Sequence, residues 1–292
     1  MMFMGIIVLI NDGIILINKE KNETSYDVIR KLKKILNTSK IGHSGTLDPL
    51  ATGLLVIGVN RGTKILSLLN DDQKEYIASV CLGIKTDTED ITGNIIEQKD
   101  DQHLNQKELE ETLNKFLGKS KQIPPKYSAK KINGKKSYEY AREGIDIKLK
   151  EQEINIKEIE LLTCDNLNFK FRVVVSKGCY IRSLIQDILK EMNLIGTMSD
   201  LKRTKTDGFI LDDSKKIDDF NLEDIIDLKD FCLKKYNYVV NNDKIIKNGG
   251  KINNKNYKLP ILFVDDKKNP IALYDQYKEE LKPIFMFNYK EE

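Results

Sequence analysis

Apolar residues recur along this chain in two rhythms, one of period two and one close to 3.6. Ile14-Ile15-Leu16-Ile17, following Asp12-Gly13, reads as a short buried strand entered through a turn. Val28, Ile29, Leu32, Ile35 and Leu36 then fall on one face of a helix that Thr24 or Ser25 can cap. The continuous run Leu54-Leu55-Val56-Ile57-Gly58-Val59 predicts a second buried strand. Glu75 to Ile84 alternates, with Tyr76, Ala78, Val80, Leu82 and Ile84 on one side. A helix from about Gln106 presents Leu109, Leu113, Phe116 and Leu117, with Gly118 as its stop. Phe169, Phe171, Val173 and Val175 mark another strand, and Ile181, Leu184, Ile185, Ile188, Leu189 and Met192 a helix after it. Asn221, with Asp224 three residues on, predicts an acidic helix closing a main domain over 1–230. Residues 231–292 are short apolar runs cut by Gly249-Gly250, Pro260, Pro270 and Pro283, the pattern of a small β-rich unit. Pattern alone therefore gives a mixed α and β chain.

Composition narrows the class. The 292 residues are 40% hydrophobic and 32% charged, an ordinary globular balance, and Lys+Arg exceed Asp+Glu by only 48 to 45. Clustering matters more than that sum. Lys115 to Lys136 is lysine-rich and free of acids, and holds Pro124-Pro125-Lys126-Tyr127, the makings of an exposed segment that meets a polyanion. Arg30, Lys31, Lys33 and Lys34 form a basic helix face, ordinarily a solvated one. Cys81, Cys164, Cys179 and Cys232 contain no C-x-x-C pair, and with two histidines they suggest reduced thiols of a cytoplasmic protein rather than a metal set. Met1 to Ile10 is apolar but lacks the basic flank and cleavage site of a signal peptide, and reads as an initial strand or an extension. Arg61-Gly62-Thr63-Lys64 has the wrong spacing for a phosphate loop.

The richest stretch for chemistry is Ile41-Gly42-His43-Ser44-Gly45-Thr46-Leu47-Asp48-Pro49-Leu50-Ala51-Thr52-Gly53. Gly42, Gly45 and Gly53 permit backbone angles closed to other residues. Pro49 fixes its own φ and moves Asp48 out of the helical region, so a lone carboxylate is held on a stiff loop. On residues alone, Asp48 is as readily a turn residue, and His43 a satisfied loop histidine.

The string G-H-S-G-T-L-D-P-L-A-T-G resembles the signature of the TruB family of tRNA pseudouridine synthases, whose catalytic aspartate falls on Asp48. Further resemblances are the acidic turn at Thr86-Asp87-Thr88-Glu89-Asp90, P-P-x-Y-S-A-x-K from Pro124, S-K-G-x-Y-I-R-S from Ser176, and Leu201-Lys202-Arg203-Thr204. Together they span residues 12 to about 205. Where the family tends to have K-P-x-G-x-T-S, this chain has Lys19-Glu20-Lys21-Asn22-Glu23-Thr24-Ser25, without the proline and glycine.

The resemblance implies an α+β pseudouridine-synthase fold with a mixed, largely antiparallel sheet flanked by helices. It also implies a basic thumb insertion at about 119–150 and a PUA-like C-terminal domain. The implied reaction turns the T-loop uridine of tRNA (position 55) into pseudouridine, with no cofactor, no metal and no membrane, in a stand-alone monomer. Asp48 would be the nucleophile, with Arg182 pairing it two-pronged and keeping it ionised. Tyr76 would stack on the extruded uracil and is the family's proposed proton acceptor. Tyr180 would pack on the nucleotide, Leu201 would line the base pocket, and His43 would fill the stack the flipped base leaves. Lys126, Lys130, Lys131, Lys202 and Arg203 would hold the RNA backbone. An RNA-binding protein or tRNA folding chaperone without turnover is a rival reading, as is a guide-RNA-dependent relative. A glycosidase is a third, which needs two cooperating carboxylates. Only Asp48 sits in a suitable loop, the acids of 86–90 reading as a separate turn.

Overall fold

The structure is a computed structural model and describes residues 12–69, 73–132 and 134–287. The apolar start, Met1 to Ile10, expected to form a strand or extension, lies outside the described residues. A ten-stranded sheet forms the larger part of the molecule. Its strands are β1 (Gly13–Lys19), β2 (Ile41–His43), β3 (Thr52–Val59), β4 (Gln73–Leu82), β5 (Gly118–Gln122), β6 (Gln152–Cys164), β7 (Asn168–Ser176), β8 (Gly196–Thr206) and β9 (Ile226–Asp227), with Phe209–Ile210 beside β8. The order runs β9-β1-β3-β8-β4-β7-β6-β5, and β2 pairs with β3. Every neighbour is antiparallel except β3 with β8, which run parallel where Lys202 faces Thr52 and Arg203 faces Gly53. That one parallel junction joins the two halves of the sheet and carries the site.

Three of the longer helices cover the sheet, α1 (Ser25–Ile35), α2 (Gln106–Lys115) and α3 (Ile181–Glu191), and the short helix Gly62–Leu66 adds Ile65 to its core. Thr24 caps α1 through a capping box, accepting from Asp27 N while Asp27 takes the Thr24 N–H. Val28, Ile29, Leu32 and Leu36 are buried against β1 and β3, whereas Ile35 emerges exposed at the last turn. On the other half, β4 and β7 present Tyr76, Ala78, Val80, Phe169, Phe171, Val173 and Val175 to one core with the apolar face of α3. Each such buried aliphatic side chain contributes about 1.5–3 kcal/mol.

Three details differ from the sequence expectation. The strand over 75–84 ends at Leu82, because Gly83 turns at φ +92° and Ile84 starts a separate hairpin with residues 95–98. Leu117 lies exposed beyond the end of α2. The acidic segment after Asp212 forms three short 3-10 turns, with the Asn221–Asp224 capping box closing the last; the helix that follows, α4 (Leu228–Lys235), is capped by Asp227.

A five-stranded sheet forms the C-terminal part, with β10 (Asn237–Val240), β11 (Ile261–Val264), β12 (Pro270–Tyr277) and β13 (Glu280–Met286) in that order and Ile252–Asn253 at the far edge. One of its faces meets the large sheet: Leu262, Val264, Leu273, Phe285 and Phe287 share a cluster with Ile14, Leu16, Leu54 and Val56. The boundary expected at 230 falls inside α4, whose Leu228, Phe231 and Cys232 belong to the same cluster.

Candidate active site

The loop between β2 and β3 is fixed from four sides. Ser25, expected as a possible helix cap, instead grips Leu47, donating to its carbonyl at 3.2 Å and accepting from its N–H at 2.8 Å. Asn22 N donates to Pro49 O at 2.8 Å. Asn22 has φ +68° and so takes the left-handed turn where the family string has glycine, a conformation asparagine tolerates better than most residues. The Ser44 hydroxyl donates to Asp207 at 2.5 Å. Gly53 has φ +100°, and a Cβ there would lie 2.3 Å from Arg203 O, so this position demands glycine on two counts. Gly42 and Gly45 keep ordinary angles, and Gly45 serves by leaving room for the Lys74 ammonium.

Lys19 ties this loop from beneath. It is 1% exposed and donates to the carbonyls of Glu20, Glu23 and Pro49. Burial drags its ammonium down to about 8, although Glu23 and Asp48 pull upward. A lysine ending an otherwise apolar strand was the available signal, and sequence reasoning assigned it no role.

Asp48 therefore sits on a braced turn with its side chain 37% exposed, and its Oδ2 lies 2.9 Å from Arg182 Nη2. Arg182 belongs to the first turn of α3 and is almost wholly buried. Its guanidinium is shared: Nη1 donates to Thr88 O at 2.8 Å and Nη2 to Tyr127 O at 2.9 Å. The two-pronged pairing expected with Asp48 gives way to this division. Consequently the acidic turn of 86–90 is not separate from the site but supports it. Asp90 organises that turn, accepting from Thr88, Thr92 N and the Thr92 hydroxyl. Burial raises the Glu89 carboxyl above its usual range, and Arg182 opposes the shift.

Tyr76, Leu201 and Arg203 line up across the strands. Arg203 pairs with Tyr76 and Leu201 with Ala78, so all four share one face of the sheet, and the Asp48 carboxylate is near enough to act on the Tyr76 phenol. Burial raises the Tyr76 phenol above its ordinary value, with Arg203 pulling the other way. Tyr180 is the N-cap of α3, and its main chain is held by Gln122, which accepts from Tyr180 N at 2.9 Å and donates to its carbonyl at 3.0 Å. Burial likewise raises the Tyr180 hydroxyl. His43 is half-buried on β2, and burial, then Arg203 and Lys74, lower its pKa, leaving a neutral ring at neutral pH. Sequence reasoning missed Gln122, whose placement beside Tyr180 depends on β5 folding back as an edge strand.

The expected phosphate contacts fare unevenly. Lys126 and Lys131 are exposed, with Lys126 paired to Asp146 at 2.7 Å, and Lys130 donates to Gln152. Arg203 is fully buried, donating to Leu54 O and Gly45 O, so it is a structural guanidinium and not a contact for RNA. Lys202 is exposed, but strand alternation sends it to the sheet face opposite Leu201 and Arg203. Among the described residues no group of His, Cys, Asp and Glu could hold a metal ion, and no helix is long and apolar enough to cross a membrane.

Residues 33–181 match the family model described as TruB family pseudouridylate synthase (N terminal domain). A tRNA pseudouridine synthase B of Mycoplasma mobile is 45% identical over 76% of this chain and 78% of its own length. One of Bacillus cytotoxicus is 38% identical over 94% and 96%. Among solved structures, a chain of a Cbf5-Nop10-Gar1 complex superposes with a TM-score of 0.68 at 22% identity, covering 96% of this chain and 85% of that one, which speaks to the fold. With a braced aspartate on a shared arginine, and likeness of this extent, the chain belongs to the TruB family of pseudouridylate synthases.

Proposed function

We propose that this pseudouridylate synthase acts on tRNA, at the T-loop uridine (position 55), with Asp48 as nucleophile and the uridine flipped out of its loop. The reading is carried by one observation: Asp48 is partly open to solvent and held 2.9 Å from a buried guanidinium, near enough to act on the Tyr76 and Tyr180 hydroxyls. The tRNA pseudouridine synthases B of Mycoplasma mobile and Bacillus cytotoxicus, similar over most of the chain, support the tRNA substrate.

The reaction is an isomerisation. The bond from N1 to the ribose breaks, the base turns, and C5 bonds to the same sugar carbon; C5 releases a proton and N1 gains one. Asp48 forms the transient bond to the nucleoside, and Arg182 orients the carboxylate. Tyr76 stacks on the detached uracil and Tyr180 packs on the nucleotide. To take the C5 proton Tyr76 must first be a phenolate, the form that burial opposes and Arg203 across the strand favours. The neutral His43 ring suits the gap left in the RNA stack. Lys126, Lys130 and Lys131 on the insertion at about 119–150 hold phosphates. The enzyme works as a cytoplasmic monomer, and the C-terminal sheet is a second, PUA-like tRNA contact, with Lys251 and Lys282 over the Tyr277 ring.

The test is Asp48→Asn on a T-loop stem-loop transcript. Pseudouridine formation is expected to vanish while RNA binding persists; undiminished product would overturn the assignment.

A further inference from the structure

On β4, Lys74 lies two residues before Tyr76 and therefore on the same face, about 7 Å along the strand. Its ammonium is tucked under Gly45, where a Cβ would lie 2.9 Å from Lys74 Nζ and 3.5 Å from Arg203 Nη1. The turn that carries His43 and Asp48 thus lies against two cations, Arg203 fully buried and Lys74 still partly exposed. The carboxylate that faces Lys74, Asp207, is already engaged by the hydroxyls of Ser44 at 2.5 Å and Thr206 at 3.1 Å. Among the described residues, no carboxylate lies within 4 Å of Lys74 Nζ. Two further nitrogens in the cluster, Arg203 Nη1 and His43 Nδ1, are buried without a well-formed hydrogen bond. A buried donor left unsatisfied is costly, and the excess of positive charge here, Lys74 and Arg203 against the one engaged carboxylate of Asp207, marks a place for an anion.

We propose that Lys74, set beneath Gly45 between His43 and Arg203, receives a phosphodiester flanking the extracted nucleotide and so anchors the strand as the base leaves its stack. This rests on the tRNA reading above and adds to it a residue assigned no part there. The alternative ligand for such a cluster, a uracil oxygen, is less suited, since an oxygen without charge leaves the surplus of cations standing. Burial and the neighbouring Arg203 depress the Lys74 ammonium to about 8, and an arriving phosphate opposes that shift by adding negative charge beside it. The charged and titratable groups facing Lys74 are Arg203 and Asp207 at the end of β8, Lys177 after β7, and His43 on β2. Loss of its proton above that pH removes the anchor, so RNA affinity falls as pH rises through about 8.

The experiment measures binding of a T-loop stem-loop RNA to the full chain carrying Asp48→Asn, which prevents turnover. The RNA is used unmodified and with a single neutral methylphosphonate at either phosphodiester flanking the target uridine. Lys74→Gln is expected to weaken binding of the unmodified RNA about tenfold, the scale of one charge-assisted hydrogen bond. One of the two methylphosphonates should cost the Lys74 protein a similar factor and cost Lys74→Gln nothing more. Lys74→Arg should bind like the parent at pH 7 and hold its affinity to pH 9, where the parent weakens. Equal affinity of parent and Lys74→Gln overturns the proposal. So does a loss that simply adds to those of both methylphosphonates, which would make the lysine a loop brace. A parent that fails to bind the RNA at all overturns the tRNA reading and this one with it.

Discussion

Asp48 Oδ2 stands 2.9 Å from Arg182 Nη2, but the same guanidinium also satisfies the carbonyls of Thr88 and Tyr127. The arginine therefore joins three separate pieces of chain: the loop after β2, the acidic turn, and the root of the basic insertion. Its planar, multi-donor head makes this possible, and a lysine ammonium cannot reproduce the geometry. Arg182→Lys keeps the charge and is expected to lower kcat about 100-fold through misplacement of Asp48, with a much smaller effect on RNA affinity. Single-turnover pseudouridine assays beside filter binding check it; a kcat within threefold of the parent would show that charge alone suffices.

Lys19 predicts a pH dependence of stability. Its folded pKa of about 8 lies below its ordinary value of 10.5. Between these values the unfolded chain holds more of the proton than the folded one, so the lysine's contribution to stability rises as pH increases through the window. Urea unfolding of the parent and Lys19→Met from pH 7 to 9 should show the difference between them moving in the parent's favour as pH rises. A difference that stays flat, or moves toward the variant, contradicts the buried environment described for Lys19.

Gly53 joins β3 to β8 at the parallel pairing with Arg203. Gly53→Ala meets both a left-handed φ and the Arg203 carbonyl, and is expected to destabilise the fold by about 2–4 kcal/mol. Equilibrium denaturation gives the number, and a change below about 0.5 kcal/mol would mean that the strands separate readily there.

Lys131, Lys202 and Arg203 should behave as three different kinds of basic residue. Lys131→Ala is expected to reduce the slope of log affinity against log salt by about one. Lys202→Ala, on the far face of the sheet, should leave that slope unchanged. Arg203→Met should cost stability, since the Leu54 and Gly45 carbonyls lose their buried donor. Salt titrations with thermal melts separate the three; a Lys202 variant that loses slope would place RNA on the opposite sheet face.

Local order in the chain was enough to determine a good deal of this protein. Periodicity placed the strand ending at Val59, the alternation of Tyr76, Ala78 and Val80, and the helix after Tyr180, because side-chain direction follows directly from spacing. The dozen residues around Asp48 identified the family and named the nucleophile candidate. Tertiary structure alone decided what lies beside what. Arg203 and Lys202 are neighbours in sequence and looked equally suited to phosphate, yet strand pairing buries one beneath Gly45 and turns the other away. Lys19, Lys74 and Gln122 gained their importance only from segments distant in sequence that fold against them. Burial and counter-charge are properties of such encounters, and no single stretch of chain contains them.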